Sequence, residues 1–246
     1  MIDLWSALTV IVFAAFIVDW LAVSFSWKKV ERITKPLAML LVIFWTLMAA
    51  DWTLDNLVIL LLMAQLFGLA GDIFLLLPSR WFLAGLGAFL IGHLFYICMM
   101  VWKIVHTVGT AGFNDRWVGW LLLSFTIWVA MLLLFYRIIA PKSPRITMPL
   151  GLWVPIQFYG WVLSGLVVMS MWVLIIEGDL TKPVSFLLLG TLLFFVSDSL
   201  LAYDRFKHKM PGVRVWVMIT YHLAQFSLAV GFLSMMGFFG GGLGQV

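Results

Sequence analysis

Eight stretches of this chain are long and apolar enough to cross a bilayer, and that leaves few folds open. A spanning helix needs roughly 20 mostly apolar residues. Residues 3–24, 35–50, 55–77, 81–105, 117–139, 150–176, 183–203 and 212–238 meet the requirement, the second being short and the sixth long. None shows the alternation of an outer-membrane barrel strand. The expected fold is therefore all-α: a polytopic integral membrane protein, with one eight-helix domain over 1–246 and a flexible tail from 239. Composition agrees, at 64% hydrophobic and 11% charged, against about 45–50% and 25% in soluble domains. The opening MIDLWSALTVIVF has no basic leader region and reads as the first helix. The single cysteine, Cys98, rules out a disulfide framework. Pro149 and Pro155 fall near the start of the sixth helix, where proline is tolerated or kinks the chain.

The basic residues report topology rather than nucleic acid. Loops after helices 1, 3, 5 and 7 hold 12 of them: Lys28, Lys29, Arg32, Lys35, Arg80, Arg137, Lys142, Arg145, Arg205, Lys207, Lys209 and Arg214. The remaining loops hold 3, Lys103, Arg116 and Lys182. Positive charge stays on the cytoplasmic side, so the odd-numbered loops are expected there and both termini opposite. Asp3, Asp51, Asp55, Asp115, Glu177 and Asp179 fall on the far side. This bias serves a bacterial inner membrane and the endoplasmic reticulum alike. The absence of a retention tail such as KDEL favours the bacterial membrane. Nothing in the sequence speaks to oligomeric state.

Depth follows from a rise of about 1.5 Å per residue. Asp19, Asp72 and Asp198 each lie five residues before the cytoplasmic end of a helix, about 8 Å inside the boundary. Lys35 opens helix 2 at that boundary, just before Pro36. His93, Tyr96, Tyr159, Tyr221, His222 and Gln225 reach inward from the cytoplasmic ends of helices 4, 6 and 8. The other half of the bilayer is almost free of such groups. These residues describe a polar chamber open to the cytoplasm rather than a pore. Gln65, Gly68 and Asp72 share a helical stripe, as do Gly85, Phe89, His93 or Gly92, and Tyr96, and as do Tyr221 and Gln225. Polar stripes in membrane helices turn inward.

A weak repeat accompanies this pattern. GDIFLLL precedes GHLFYI, and SDSLLAY precedes YHLAQF, so that helices 3–4 match helices 7–8 as in a four-plus-four duplication. Such duplications build sites at the interface of their halves.

Several polar residues have plainer explanations. Asp19, next to Trp20, reads as an interfacial acid that reaches water. Lys35 alone suits a snorkelling anchor, and His93 a hydrogen bond between helices. Gly85, Gly92, Gly190 and Gly231 read as helix-contact residues. Asp72 and Asp198 resist such accounts, because ionisable groups at matched depth in apolar runs mark functional sites.

A pair of carboxyls in a partly dry chamber can split into a proton donor and a carboxylate, as in glycosidases. That division suits acid-catalysed cleavage of an acetal-like or enol-ether bond. Two other uses remain open. Asp72, Asp198, His93 and His222 form a donor set that suits zinc, though without the spacing of HExxH. An acid pair can also relay protons in a transporter. No GxSxG elbow or Walker loop is present.

In order, TKPLAMLL, GLAGDIFLLL, FLAGLGAFLIGHLFYI, LLLGTLLFFVSDSLLAY and TYHLAQFSL resemble the YhhN-like lysoplasmalogenase family, from about Lys35 to Gly231. Helices 1, 5 and 6 contribute little. The resemblance implies an eight-helix membrane enzyme, and no cofactor is expected. Its substrate would be a lysophospholipid, a lysoplasmalogen, whose sn-1 vinyl ether it hydrolyses to a fatty aldehyde and glycerophosphoethanolamine or glycerophosphocholine. Lys35 matches the lysine of the family's KP segment, Asp72 its GD acid, and His93 and Tyr96 its helix-4 motif. Asp198 matches the SD acid, and Tyr221 and Gln225 the last-helix motif. His222 stands where the family often has a tyrosine. On this basis Asp72, Asp198, His93 and Tyr221 are the expected catalytic residues. Lys35, Tyr96, Gln225, Arg80 and Arg205 are expected to bind substrate.

Overall fold

The computed structural model describes residues 4–111, 115–140 and 150–239. Lys142, Arg145, Pro149 and the tail from residue 240 lie outside them. Among the described residues the fold is all-helical, as expected where lipid leaves backbone groups no partner but the helix itself. The helices are α1 (Leu4–Ser24), α2 (Lys28–Ala49), α3 (Asn56–Leu76), α4 (Phe82–Ala111), α5 (Asp115–Ile139), α6 (Leu150–Glu177), α7 (Phe186–Phe206) and α8 (Val213–Met235). All eight are long and apolar enough to span a membrane.

Two boundaries differ from the sequence expectation by more than three residues. Helix α2 begins at Lys28, not Lys35, because the charged KKVERITK turn continues the helix past the apolar run. Lys35 therefore sits about two turns inside the helix, with Pro36 behind it. Helix α4 runs on to Ala111, beyond its most apolar part. Helix α3 starts where expected, its first turn capped by Asp55, whose carboxylate accepts from Val58 N–H at 2.8 Å.

Contacts between helices repeat after four. Helix α1 packs on α2, α2 on α3 and α3 on α4, while α5 packs on α6, α6 on α7 and α7 on α8. Across the halves, α2 meets α8 as α6 meets α4. The match is partial, since the contacts of α1 with α8 and of α5 with α7 have no comparable counterparts four helices on. Helix α8 also touches α1 and α3, and is among the most buried helices. Helix α5, the least buried, lies outside against α6 and α7.

Glycines set the closest approaches. A Cβ on Gly92 would come within 2.9 Å of the Ala64 carbonyl, and one on Gly231 within 2.6 Å of the Leu187 nitrogen. Gly190 lies similarly against Ala224 O, at 3.0 Å, and Gly85 against Leu75. The α3–α4 and α7–α8 pairs are thus both drawn together by small residues.

The basic ends gather at one end of the bundle. Arg214 pairs with Glu31, joining the starts of α8 and α2. Lys207 donates to the Arg137 carbonyl at 2.6 Å, joining the ends of α7 and α5. Towards the opposite end, Lys103 pairs with Glu177 at 2.7 Å.

Candidate active site

Asp72 is fully buried on the inward stripe of α3, with Gln65 and Gly68. Its Oδ1 lies 3.2 Å from Lys35 Nζ. Its Oδ2 accepts a hydrogen bond from the Tyr221 hydroxyl at 2.7 Å. Gln225 Nε2 donates to the Tyr221 oxygen at 3.3 Å, and Tyr96 donates to Gln225 Oε1 at 3.0 Å. One chain of polar contacts thus runs through α2, α3, α8 and α4. Gly68 makes room for it, since a Cβ there would lie 2.8 Å from Gln225 Nε2. The early start of α2 has a direct consequence. Lys35 is 4% exposed and held by a carboxylate, so it is not a snorkelling anchor at the surface.

Asp198 is half-buried on α7 and has a different partner. The Tyr159 hydroxyl of α6 donates to its Oδ2. Asp198 and Tyr159 border a narrow cavity of about 20 Å³, lined otherwise by apolar side chains such as Leu86, Phe89 and Phe135. That is room for about one water molecule. Its neighbour is larger, a vestibule of about 280 Å³ bordered by Lys35, Arg205, Lys209 and Arg214 with Glu31 and Asp204. Leu75, Phe82 and Leu201 line both, so the two adjoin.

His93 lies between the two carboxyl groups' partners. Its ring is 5.6 Å from Tyr159 and edge-on to Phe194 at 4.9 Å between centroids, and Phe194 in turn meets Tyr221 at 5.6 Å. It is buried, and neither of its nitrogens has a hydrogen-bond partner among the described residues. Of the expected site residues, Asp72, Lys35, Tyr221, Gln225 and Tyr96 form one network. Asp198 and His93 gather around Tyr159, and Arg205 borders the vestibule, its guanidinium 4.9 Å over the Phe82 ring. Arg80 is exposed on the α3–α4 connection and borders neither cavity.

Two features went unforeseen. Tyr159 was visible in the sequence only as a polar residue at the right depth, and its bond to Asp198 needed the α6–α7 packing. Asp19, expected to reach water, is fully buried. The reason is that α2 begins early and covers it. Thr34 donates to Asp19 Oδ1 at 2.6 Å, and His222 Nε2 lies 4.0 Å from Oδ2. His222 accepts from Trp20 Nε1 at 3.0 Å and stacks on Phe16. It therefore belongs to this second buried cluster rather than to a shared metal set with Asp72 and Asp198. Among the described residues no three His, Cys, Asp or Glu side chains converge as metal ligands.

Chemically, the arrangement offers one carboxyl group balanced by an ammonium and another beside a water-sized space without a cation, next to a basic, water-accessible recess. Comparison with known proteins adds an independent line. The YhhN family model matches residues 30–232. Lysoplasmalogenase TMEM86B of the mouse, Mus musculus, is 25% identical over 237 residues, which cover 95% of this chain and 88% of the mouse protein. No solved structure matches the chain.

Proposed function

The chain belongs to the YhhN family, and from that premise we propose that it is a membrane hydrolase cleaving the sn-1 vinyl ether of lysoplasmalogens. The products are a fatty aldehyde and glycerophosphoethanolamine or glycerophosphocholine. The observation that carries this reading is the unequal surroundings of the two carboxyl groups. Asp72 has an ammonium at 3.2 Å and a hydroxyl donor. Among the described residues, Asp198 has only the Tyr159 hydroxyl, beside the narrow cavity. Paired carboxyls in unlike environments divide into acid and base.

On this assignment Asp198 holds the proton and Asp72 the charge. Asp198 transfers its proton to the vinyl carbon distal to oxygen. The carbon next to oxygen becomes an oxocarbenium ion, which the Asp72 carboxylate stabilises. Water adds to that carbon and gives a proton to Asp72, forming a hemiacetal. The hemiacetal hydroxyl then returns its proton to Asp198, the carbon–oxygen bond to glycerol breaks, and Asp72 protonates the departing oxygen. Both groups end as they began. Tyr221 and Gln225 orient Asp72, Tyr159 orients Asp198, and His93 stands against Tyr159, 5.6 Å between ring centroids. Arg205, with Lys35 nearby, receives the substrate phosphate in the vestibule, since guanidinium and ammonium groups are the natural phosphate partners. The vestibule end faces the cytoplasm and both termini the other side, in a bacterial inner membrane by preference over the endoplasmic reticulum.

The test uses purified protein and three lyso-lipids alike except for a 1-alkenyl, 1-acyl or 1-alkyl chain. Fatty aldehyde from the alkenyl lipid alone, with or without a strong chelator, is the expected result. Loss of aldehyde with chelator would move the chemistry to a metal. Fatty acid from the acyl lipid would make the protein an esterase, and no product from any of the three would return the transporter reading.

A further inference from the structure

The cavity beside Asp198 has room for about one water molecule, and the vestibule next to it encloses about 280 Å³. Between them stands a neck of three side chains, Leu75, Phe82 and Leu201, which line both spaces. A vinyl group joined to a phosphate in the vestibule can meet Asp198 only if this neck widens. Leu75 is held in the α3–α4 contact, since a Cβ on Gly85 would lie 3.0 Å from it. Leu201 sits within α7. Phe82 is placed differently, as the half-buried first residue of α4. Helix α4 packs on α3 and α6, and α7 on α5, α6 and α8. At Phe82 the ends of α4 and α7 meet through side chains, one from each space. The guanidinium of Arg205, from the vestibule, lies 4.9 Å from its ring centroid, and the ring of Phe206, from the cavity, meets it edge-on at 5.7 Å and 78°.

The charges of the vestibule single out Arg205. Of the four basic residues that border it, Lys35 is paired with Asp72 at 3.2 Å, Lys209 with Asp204 at 2.6 Å, and Arg214 with Glu31. Among the described residues Arg205 has no carboxylate partner, and its guanidinium rests on the Phe82 ring instead. An incoming phosphate therefore meets one uncommitted cation. Hydrogen bonds from guanidinium to phosphate are charge-assisted and commonly bidentate, and they outweigh a cation–π contact at an exposed site. Phosphate in the vestibule thus draws Arg205 off the ring.

We propose that Phe82 is a specificity-determining residue: Arg205 holds its ring across the neck and the substrate phosphate releases it, so that ethers without a phosphate turn over more slowly. This rests on the hydrolase reading for its substrate, but half of its test needs no turnover. In a Cys98→Ala background, Ala202→Cys, which lines the cavity, is labelled in detergent by a charged methanethiosulfonate. Lys28→Cys, on the exposed start of α2, is the control. Arg205→Gln is expected to speed labelling of Ala202→Cys about two- to fivefold, the worth of an exposed cation–π contact, and Phe82→Ala to speed it by more. The control should not change. Unchanged labelling of Ala202→Cys would overturn the proposal. A rise in Phe82→Ala alone would make the ring a wall that Arg205 does not hold, and equal rises at both cysteines would mean general loosening; either would overturn it too. Phe82→Leu and Leu86→Cys stand in where Phe82→Ala or Ala202→Cys fails to fold. The other half compares a 1-alkenyl lysophosphatidylcholine with the corresponding 1-alkenylglycerol. With Phe82 in place, the glycerol ether should show a kcat about two- to fivefold lower and a higher KM. In Phe82→Ala the difference in kcat should vanish and the difference in KM remain. A kcat difference that survives in Phe82→Ala would overturn the proposal and leave the hydrolase reading intact. Labelling as expected with no hydrolysis of either ether would uphold the Arg205–Phe82 latch and sink the hydrolase reading.

Discussion

The ammonium of Lys35 stands 3.2 Å from the Asp72 carboxylate, with both side chains almost wholly sealed from solvent. A pair so placed holds two opposite charges that the interior would reject singly. Removing one partner of a buried pair typically costs about 3–5 kcal/mol, whereas replacing both with apolar groups is often neutral. Lys35→Met is therefore expected to destabilise the protein by about 3–5 kcal/mol. Lys35→Met with Asp72→Leu should recover much of that loss while remaining inactive. Thermal unfolding in detergent reads the difference, and equal melting temperatures for the single and double variants would refute it.

The two carboxyl groups are both expected to be required for turnover. Asp198→Asn removes the proton donor and Asp72→Asn the stabilising charge, and each should lower kcat by about 100- to 10,000-fold. Full activity in either variant would sink the mechanism. Tyr159→Phe should have a smaller effect. Losing one hydrogen bond to a charged or charge-sharing group costs about 1.5–3 kcal/mol, or roughly 10- to 150-fold. Steady-state aldehyde release measures all three.

Phosphate recognition should separate two arginines that the sequence could not tell apart. Arg205 borders the vestibule and Arg80 does not. Arg205→Gln is expected to raise KM about tenfold or more, the worth of a charge-assisted hydrogen bond, with little change in kcat. Arg80→Gln should leave both constants alone. The opposite ranking would relocate the head group.

Glycine contacts predict opposite signs at different positions. Gly231→Ala drives a Cβ to within 2.6 Å of backbone at Leu187, and overpacking of this kind costs about 1–3 kcal/mol. A Cβ on Gly119 of α5 would meet nothing within 4 Å. Gly119→Ala should be neutral or stabilise by about 0.5–1 kcal/mol, the helical penalty of glycine. Melting temperatures of the two variants check both signs.

Much of the architecture was legible because apolar length is a blunt and reliable signal. All eight spans and the inward stripe of Gln65, Gly68 and Asp72 follow from length and period alone. The start of α2 was not legible, because KKVERITK is too polar to count as a span. Yet it is helical, and its extra turns bury Asp19 and carry Lys35 to Asp72. Contacts between distant helices were equally hidden. Tyr159 and Asp198 are 39 positions apart, and only the packing of α6 on α7 brings them together. His222 drew attention as a candidate ligand because it sits beside Tyr221. Neighbours on a helix point about 100° apart, so the two serve different clusters.

The polar network has a consequence for how the protein is made. Helices enter the bilayer in order of synthesis, and an unpaired lysine or aspartate inside the apolar part of a lone helix is costly to insert. Helix α2 brings Lys35 before α3 brings Asp72, so the two are best inserted as a hairpin that neutralises itself. Tyr221 and Gln225 arrive only with α8, the last helix, as do the contacts of α1 with His222 and Phe226. A nascent chain therefore has no complete site until its final span is in place. Any truncation before α8 leaves Asp72 without the Tyr221 hydroxyl and Asp19 without His222 beside it, a mark that membrane quality control can read.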